Sequence, residues 1–370
     1  MMQKGQSVIL LTTWAWRRVA TRSKKSEIPA LSGLRFCAAL YVFFFHYGAG
    51  YSARHHFPTA FTTFLTNGFT GVTFFFVLSG FILTHTYRDS LSGSADLRKY
   101  FVARFARMYP VYLLALLIAF PMWHKAVRPA EIVRMLTLTQ SWGPSTSPLG
   151  YVAIMQAWTL SVEMFFYLFF PLILYGVQRL NVRQLRWGIG ILYCLIVLSI
   201  EPVLHVGMPL GALVPLYLPV CILRLPEFVF GVFIGQSVLM RDKEGRSIPQ
   251  SVWPHVLFCG ACVAVLCLTN EDYWVSFAAA GVGSLIYCSS GRNKVLRSVF
   301  GNRWMVILGG ASYAMYLLQE PVRSYTGILL AHTHPSADPF VALVALICIS
   351  ILIFYLYEQP MRSWLRTALQ

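Results

Sequence analysis

The chain of 370 residues is 57% hydrophobic and only 12% charged, with a mean hydropathy of +0.60. Soluble globular proteins carry about 25% charged residues, so this composition excludes an ordinary soluble domain. The net charge of +16 does not predict a nucleic-acid partner, because the basic residues lie in short connections between long apolar segments. These continuous segments predict an all-α protein, a polytopic membrane helical bundle embedded in the lipid bilayer.

The N-terminal residues 1–28 are basic, and their apolar stretch is too short to span a bilayer. No cleavage site of small residues follows it, so we expect a cytoplasmic arm rather than a signal peptide. A single transmembrane domain is expected over residues 29–366. Its ten apolar segments lie near 30–49, 68–87, 108–122, 159–178, 187–204, 225–240, 253–269, 273–290, 304–320 and 339–357.

One further segment, 208–223, contains three prolines and is predicted to be re-entrant or interfacial. The distribution of basic residues supports ten transmembrane helices without it. If the N-terminus is cytoplasmic, the predicted inner segments contain 23 lysines and arginines and the outer segments 6. Because cytoplasmic loops are enriched in Lys and Arg, we expect both termini to be cytoplasmic.

The eight cysteines all lie in or beside apolar segments. Cys259 and Cys262 have the spacing of metal ligands, but no second Cys or His pair follows at a matching distance. We therefore expect the cysteines to pack as small hydrophobic residues, with no metal site and no disulfide.

Two ionisable residues interrupt the first apolar segment, "GLRFCAALYVFFFHYGAG". Arg35 and His46 are eleven residues apart. At about 100° and 1.5 Å per residue, an α-helix places them on one face and about 16 Å apart along the axis. Each residue alone has a structural alternative, since a histidine can be hydrogen-bonded in the core and an arginine can extend to the headgroups. The shared face favours a functional site.

Three further charged residues lie at the starts of later segments. Arg104 and Arg107, in "YFVARFARMYPVY", are neighbours on a helix and either anchor the protein at the headgroups or bind phosphate. Glu163, in "AWTLSVEMFFYLFFP", needs a partner inside the bundle. Ser79 and Gly80, in "GVTFFFVLSGFIL", are small residues that favour close helix packing rather than nucleophilic catalysis.

Taken in order, these motifs resemble the acyltransferase-3 family of integral membrane O-acyltransferases. The resemblance is carried by the Arg35–His46 pair, "FFFVLSGF", Arg-x-x-Arg-x-x-Pro, "WTLSVEMFFY", "RLPEFVFGVFIG", "LGGASYAMYLL" and "YEQPMRSWL", and it extends over residues 28–366. It implies a multi-pass protein of the bacterial inner membrane that uses acetyl-CoA, bound from the cytoplasm, as its acyl donor. The acceptor it implies is a hydroxyl of a cell-surface or exported polysaccharide or its lipid-linked precursor.

The resemblance also implies roles for individual residues. His46 matches the catalytic histidine and Glu163 the acidic residue of its motif, and we expect both to be catalytic. Arg35, Arg104 and Arg107 match residues near the donor, and we expect them to bind coenzyme A. An imidazole can act as a general base or form a covalent acyl intermediate, and both remain open. Where family members often have a second histidine, this chain has Gln319.

Two other classes of function compete with an acetyltransferase. A glycan transporter or flippase would also have charged residues in the membrane. Many transporters are built from internal repeats, however, and the chain has no evident repeat. Gln319, at the position where family members often have a histidine, raises a second alternative, a non-catalytic partner of a glycan synthesis machinery. Within the acetyltransferase hypothesis, the predicted outer loop 123–158 carries aromatic residues that either stack on sugars or lie in the membrane interface.

Overall fold

The computed structural model describes residues 28–91, 93–123, 127–143, 154–204, 219–244, 253–269, 272–291, 293–330 and 338–369. Within these ranges every regular element is helical. The predicted arm, except for Ile28, lies outside the described residues. So does most of the proline-rich segment 208–223, whose end forms the short helix Val220–Leu223.

The α-helices are numbered in chain order over the described residues. They are α1 (Pro29–Phe43), α2 (Ala49–Arg54), α3 (Thr59–Thr66), α4 (Thr70–Tyr87), α5 (Ser94–Trp123), α6 (Pro129–Leu136), α7 (Ala157–Val177), α8 (Val182–Leu204), α9 (Val220–Leu223), α10 (Leu225–Lys243), α11 (Trp253–Leu268), α12 (Asp272–Ser290), α13 (Lys294–Phe300), α14 (Arg303–Leu330), α15 (Asp338–Ile353) and α16 (Gln359–Leu369).

Two π-helical turns join neighbouring helices in the described chain. Phe44–Gly48 links α1 to α2, and Phe354–Glu358 links α15 to α16. Each pair is therefore one long rod, Pro29–Arg54 and Pro339–Leu369, with a single widened turn inside it. Such turns expose backbone groups and occur often at functional sites.

All ten predicted segments are helical. Six described helical rods are long and apolar enough to cross a membrane, and two shorter apolar helices accompany them. The six rods are Pro29–Arg54, Thr59–Tyr87, Ser94–Met122, Ala157–Val177, Val220–Lys243 and Pro339–Leu369. These findings confirm a polytopic helical membrane bundle.

Contacts between distant helices give their relative directions. α1 and α14 are parallel, because Gly309 packs against Ser32 near their starts and Arg323 stacks over the ring of Tyr47 near their ends. In the ten-segment interpretation these helices belong to the first and ninth segments. Two odd-numbered segments should run in the same direction, as they do.

α4 and α10 pack at very close range and are also parallel. Gly231 lies against Val77, and further along both helices Gly235 lies against Thr84. A Cβ at Gly80 would collide with the backbone of α10, so only a glycine allows this approach. The pair joins the second and sixth segments, which are both even-numbered.

The last helical rod runs antiparallel to α5. Arg107 pairs with Glu358, whereas Arg98, further towards the start of α5, donates a hydrogen bond of 3.1 Å to the carbonyl oxygen of Leu369. The third and tenth segments should be antiparallel if the chain alternates across the membrane ten times. The helix directions agree with that alternation.

Candidate active site

His46 lies in the middle of the π-helical turn Phe44–Gly48. Its imidazole is half-buried, and its ring neighbours are Phe45 at 4.8 Å and Tyr47 at 6.0 Å between ring centroids. No side chain among the described residues hydrogen-bonds to it or forms an ion pair with it. The sequence "FFFHYGAG" therefore places a polar ring among aromatic ones at a widened turn, with its nitrogen atoms available for proton transfer.

A polar cluster occupies the bundle on the side of His46 towards the start of α1. Four elements contribute to it, namely α1, α5, α7 and the π-helical turn that precedes α16. Their charged residues are Arg35, Arg107, Glu163 and Glu358. Arg107 donates to Oε1 of Glu358, and its guanidinium lies 5.4 Å from the ring centroid of Tyr313. Arg35 is within electrostatic range of Arg107 and of both carboxylates.

Glu163 is held by neutral hydroxyl groups as well as by arginines. The hydroxyl of Tyr167, one turn later on α7, donates a hydrogen bond of 2.9 Å to Oε1 of Glu163. The Ser79 side chain is within hydrogen-bonding reach of both residues. The carboxylate is therefore oriented from two helices, and Ser79 serves the polar cluster while its neighbour Gly80 provides the close packing of α4.

Arg104 lies one turn before Arg107 and has different partners. Its Nη2 donates to the hydroxyl of Tyr87 at 3.4 Å, and its guanidinium stacks on the rings of Tyr87 and Tyr167 at 5.5 and 5.8 Å. Its buried Nε has no hydrogen-bond partner in the described chain. The guanidinium is thus positioned by aromatic rings and keeps donors free for an anionic ligand.

The structure brings four of the five predicted site residues close together and shows no described contact between the fifth, His46, and these four. Arg35, Arg107 and Glu163 share one polar cluster, and Arg104 lies beside it through Tyr167. His46 has no described interaction with Arg35. The π-helical turn interrupts the regular helix on which the shared-face prediction depended.

Glu358 is the residue of the cluster that sequence analysis did not assign. It lies in the motif "YEQPMRSWL" and is 1% exposed. A carboxylate next to the long apolar segment 339–357 is itself a signal of function or of a buried partner. Its partner Arg107 is 251 residues away in the chain, so the sequence could not pair them.

Gln319, the residue at the position of the expected second histidine, is fully buried in α14. Its Nε2 donates to the carbonyl oxygen of Tyr316 at 2.9 Å, and its Oε1 has no partner in the described part of the chain. The next residue, Glu320, accepts a hydrogen bond of 2.6 Å from the backbone nitrogen of Met155. This part of α14 thus carries polar groups beside the start of α7.

Comparison with known proteins identifies the family. A family model described as an acyltransferase domain matches residues 28–358, most of the chain. The chain belongs to the acyltransferase-3 family. This membership makes the polar cluster and the π-helical turn of His46 the candidate active site of a multi-pass membrane acyltransferase.

Individual relatives agree with the family. The chain is 30% identical over 319 residues to acyltransferase MdmB of Streptomyces mycarofaciens, covering 81% of this chain and 80% of the relative. It is 23% identical over 364 residues to a Bacillus subtilis protein named as a peptidoglycan O-acetyltransferase, YrhL, covering 91% and 55%. A Staphylococcus aureus (strain COL) protein named as an O-acetyltransferase is 23% identical over 341 residues, covering 82% and 52%.

The chain therefore spans about half the length of the Bacillus and Staphylococcus relatives. No solved structure matches the chain significantly. The arrangement of the site is thus known here only from this structure.

Proposed function

We propose that this acyltransferase moves an acetyl group from acetyl-CoA to a hydroxyl of a cell-surface or exported polysaccharide, or of its lipid-linked precursor, at the bacterial inner membrane. The observation that carries the proposal is a polar cluster inside an apolar bundle, where arginines exceed carboxylates once the adjacent Arg104 is included; one of these arginines, Arg35, lies on the same helical rod as the half-buried His46. The O-acetyltransferase names of two relatives support the transferred group and the hydroxyl acceptor.

The residues at this end of the bundle fit the phosphates of a coenzyme A donor. Together with the adjacent Arg104, the cluster residues Arg35 and Arg107 outnumber its two carboxylates, Glu163 and Glu358. The buried Nε of Arg104 has no partner in the described chain, and a phosphate oxygen would satisfy it. Guanidinium groups bind phosphate through paired hydrogen bonds, which a lysine cannot match.

The distance between Arg35 and His46 along the first rod fits a donor whose thioester end lies deeper in the bundle than its phosphates. Eleven residues separate Arg35 from His46, or about 16 Å of helix. With its phosphates held near Arg104 and Arg107, the pantetheine arm reaches towards the π-helical turn. The acetyl group is then delivered to the imidazole rather than to the carboxylates.

His46 supplies the proton-transfer chemistry. Its imidazole takes the proton of the acceptor hydroxyl while that oxygen attacks the thioester carbonyl carbon. The carbon–sulfur bond breaks, and the proton passes from the imidazole to the departing thiolate. An acetyl-imidazole intermediate is the alternative. His46 then attacks the thioester carbon and expels the thiolate, and the acceptor oxygen takes the acetyl group while its proton passes to the thiolate as the imidazole is released.

Glu163 and Glu358 fix the arginines that hold the donor. Glu358 pairs with Arg107, and Glu163 is near both Arg107 and Arg35. Without these carboxylates the guanidinium groups would repel one another in a medium of low dielectric constant. Glu163 is also the second candidate base, since it is only partly buried.

The test is acetyl transfer by the purified protein in nanodiscs, measured as release of coenzyme A thiol from acetyl-CoA with and without a glycan acceptor. Mass spectrometry of surface glycans from cells with and without the gene identifies the acceptor. We expect donor turnover that depends on the acceptor, and loss of glycan acetyl groups without the gene. Failure of the inserted protein to bind or consume acetyl-CoA would overturn the proposal in favour of a transporter or a non-catalytic partner.

A further inference from the structure

The end of the last helical rod brings two more arginines to the polar cluster. Arg362 and Arg366 lie four residues apart on α16, so they are neighbours on one helix face. α16 packs along the start of α5, where Arg98 donates to the carbonyl oxygen of Leu369 at 3.1 Å. Both side chains are half-buried in this contact.

Arg362 and Arg366 face the two arginines of α5. Each is within electrostatic range of Arg104 and of Arg107. Two arginines from each helix therefore converge, and Glu358 is the carboxylate that pairs with one of them. Like charges one helical turn apart destabilise a helix, and partial burial increases the repulsion.

The hydrogen bonds of these arginines are incomplete. In the described part of the chain, Arg362 and Arg366 form neither a side-chain hydrogen bond nor an ion pair, and the buried Nε of Arg366 has no partner. The same is true of the Nε of Arg104. Buried donors without acceptors are costly, so the arrangement calls for an anion with several oxygen atoms.

Two exposed arginines of this protein have partners within the chain. Arg128, on the surface, forms a 2.8 Å ion pair with Glu131, and Arg98 uses a backbone carbonyl. An arginine that only anchors a membrane protein extends to the headgroups and stays exposed. The arginines of α16 and α5 are instead half-buried and within electrostatic range of one another.

We propose that Arg362 and Arg366 form, with Arg104, the site for the ribose 3′-phosphate of the donor coenzyme A, and that they select this donor over acyl carriers that lack this phosphate. This inference rests on the proposed function. Arg366 lies eight residues, or about 12 Å of helix, beyond Glu358 and further from His46. A donor bound with its thioester at His46 has its adenosine end, and thus its 3′-phosphate, at the far end of the site.

The experiment compares acetyl-CoA with acetyl-dephospho-CoA, which lacks only the 3′-phosphate, in nanodiscs of phosphatidylcholine. For the wild type we expect KM to be roughly tenfold or more higher for acetyl-dephospho-CoA, with little change in kcat. The variants Arg362→Gln and Arg366→Gln should raise KM for acetyl-CoA by a similar factor and leave KM for acetyl-dephospho-CoA unchanged. The exposed Arg183→Gln is the matched control and should change neither value.

A second measurement needs no turnover. Calorimetric titration of the wild type with adenosine 3′,5′-bisphosphate and with adenosine 5′-phosphate should show at least about tenfold tighter binding of the bisphosphate, and Arg366→Gln should remove the difference. If the arginines bound lipid phosphate instead, the variants would change activity only in nanodiscs that contain phosphatidylglycerol, and this result would overturn the inference.

Equal binding of the two nucleotides by the wild type, or an equal rise in KM for both donors in the variants, would also overturn it. In either case, continued turnover of acetyl-CoA would leave the proposed function intact. Absence of both acetyl-CoA binding and turnover would instead remove the proposed function and this inference together.

Discussion

His46 has no described hydrogen bond or ion pair, which distinguishes it from Glu163 and from Arg107. We predict that His46→Ala abolishes acetyl transfer while the protein still inserts and binds acetyl-CoA. Loss of a general base typically lowers the rate by about 10²–10⁴-fold, and loss of a covalent nucleophile lowers it further. Turnover assays and calorimetry with acetyl-CoA measure the two effects separately.

Gln319→Ala provides the comparison for this prediction. Gln319 is buried, but its only described hydrogen bond is to the carbonyl oxygen of Tyr316 one turn earlier on its own helix. We expect this variant to keep most of the activity. Near-full transfer by a well-inserted His46→Ala variant would make His46 a structural residue and Glu163 the next candidate base.

The ion pair between Arg107 and Glu358 should contribute to stability as well as to the site. Removing one partner of a buried pair leaves an uncompensated charge and costs about 3–5 kcal/mol. We therefore predict a large loss of thermal stability for Glu358→Gln, measured by unfolding in detergent. Glu131→Gln breaks the exposed pair with Arg128 and should change thermal stability much less, because solvent screens the two charges. Equal stabilities of the two variants would show that Arg107 is compensated by another group.

At the scale of elements, the helices follow from composition but the π-helical turns do not. Long apolar segments must be helical in a bilayer, because each backbone group then finds its partner within the segment. The turns Phe44–Gly48 and Phe354–Glu358 each add one residue to such a helix. No proline or charge pattern marks the first turn, whereas Pro360 follows the second and lacks the N–H that a regular helix would bond to the carbonyl of Leu356. His46 and Glu358 lie in these turns. The rotation of a regular α-helix, about 100° per residue, therefore does not predict the directions of their side chains.

The contact between α4 and α10 gives a prediction at the same scale. Gly80→Val would force the added side chain into the backbone of α10, and overpacking of a tight interface typically costs about 1–3 kcal/mol. We expect lower yield of inserted protein and a lower unfolding temperature. Gly176→Val is the matched control, because Gly176 is an exposed glycine of a membrane helix with open space around it. A loss no greater than that of Gly176→Val would show that α4 and α10 can separate without cost.

At the scale of the whole molecule, the sequence indicated which ionisable residues lie inside the bundle better than it indicated which of them meet. The family motifs and the cost of charge in a membrane identified Arg35, Arg107 and Glu163, which the fold brings together. Their convergence depends on contacts between helices far apart in the chain. Glu358 was overlooked because its partner Arg107 is 251 residues away, and periodicity within one segment carries no such information.

The membrane orientation of the bundle is the remaining prediction at this scale. The relative directions of three helix pairs agree with ten segments, but they do not indicate which end of the bundle faces the cytoplasm. The distribution of charge indicates the orientation, because 23 basic residues lie in the predicted inner segments and 6 in the outer ones, and positively charged loops stay in the cytoplasm.

The experiment that tests this orientation uses a cysteine-free background. An impermeant maleimide should label Gly143→Cys on intact cells and Ser90→Cys only after permeabilisation, both positions being exposed. The opposite pattern would place Arg104 and Arg107 outside, where a cytoplasmic acetyl-CoA could not reach them. Labelling of both positions on intact cells would contradict an odd number of crossings between Ser90 and Gly143, and with it the ten-segment topology.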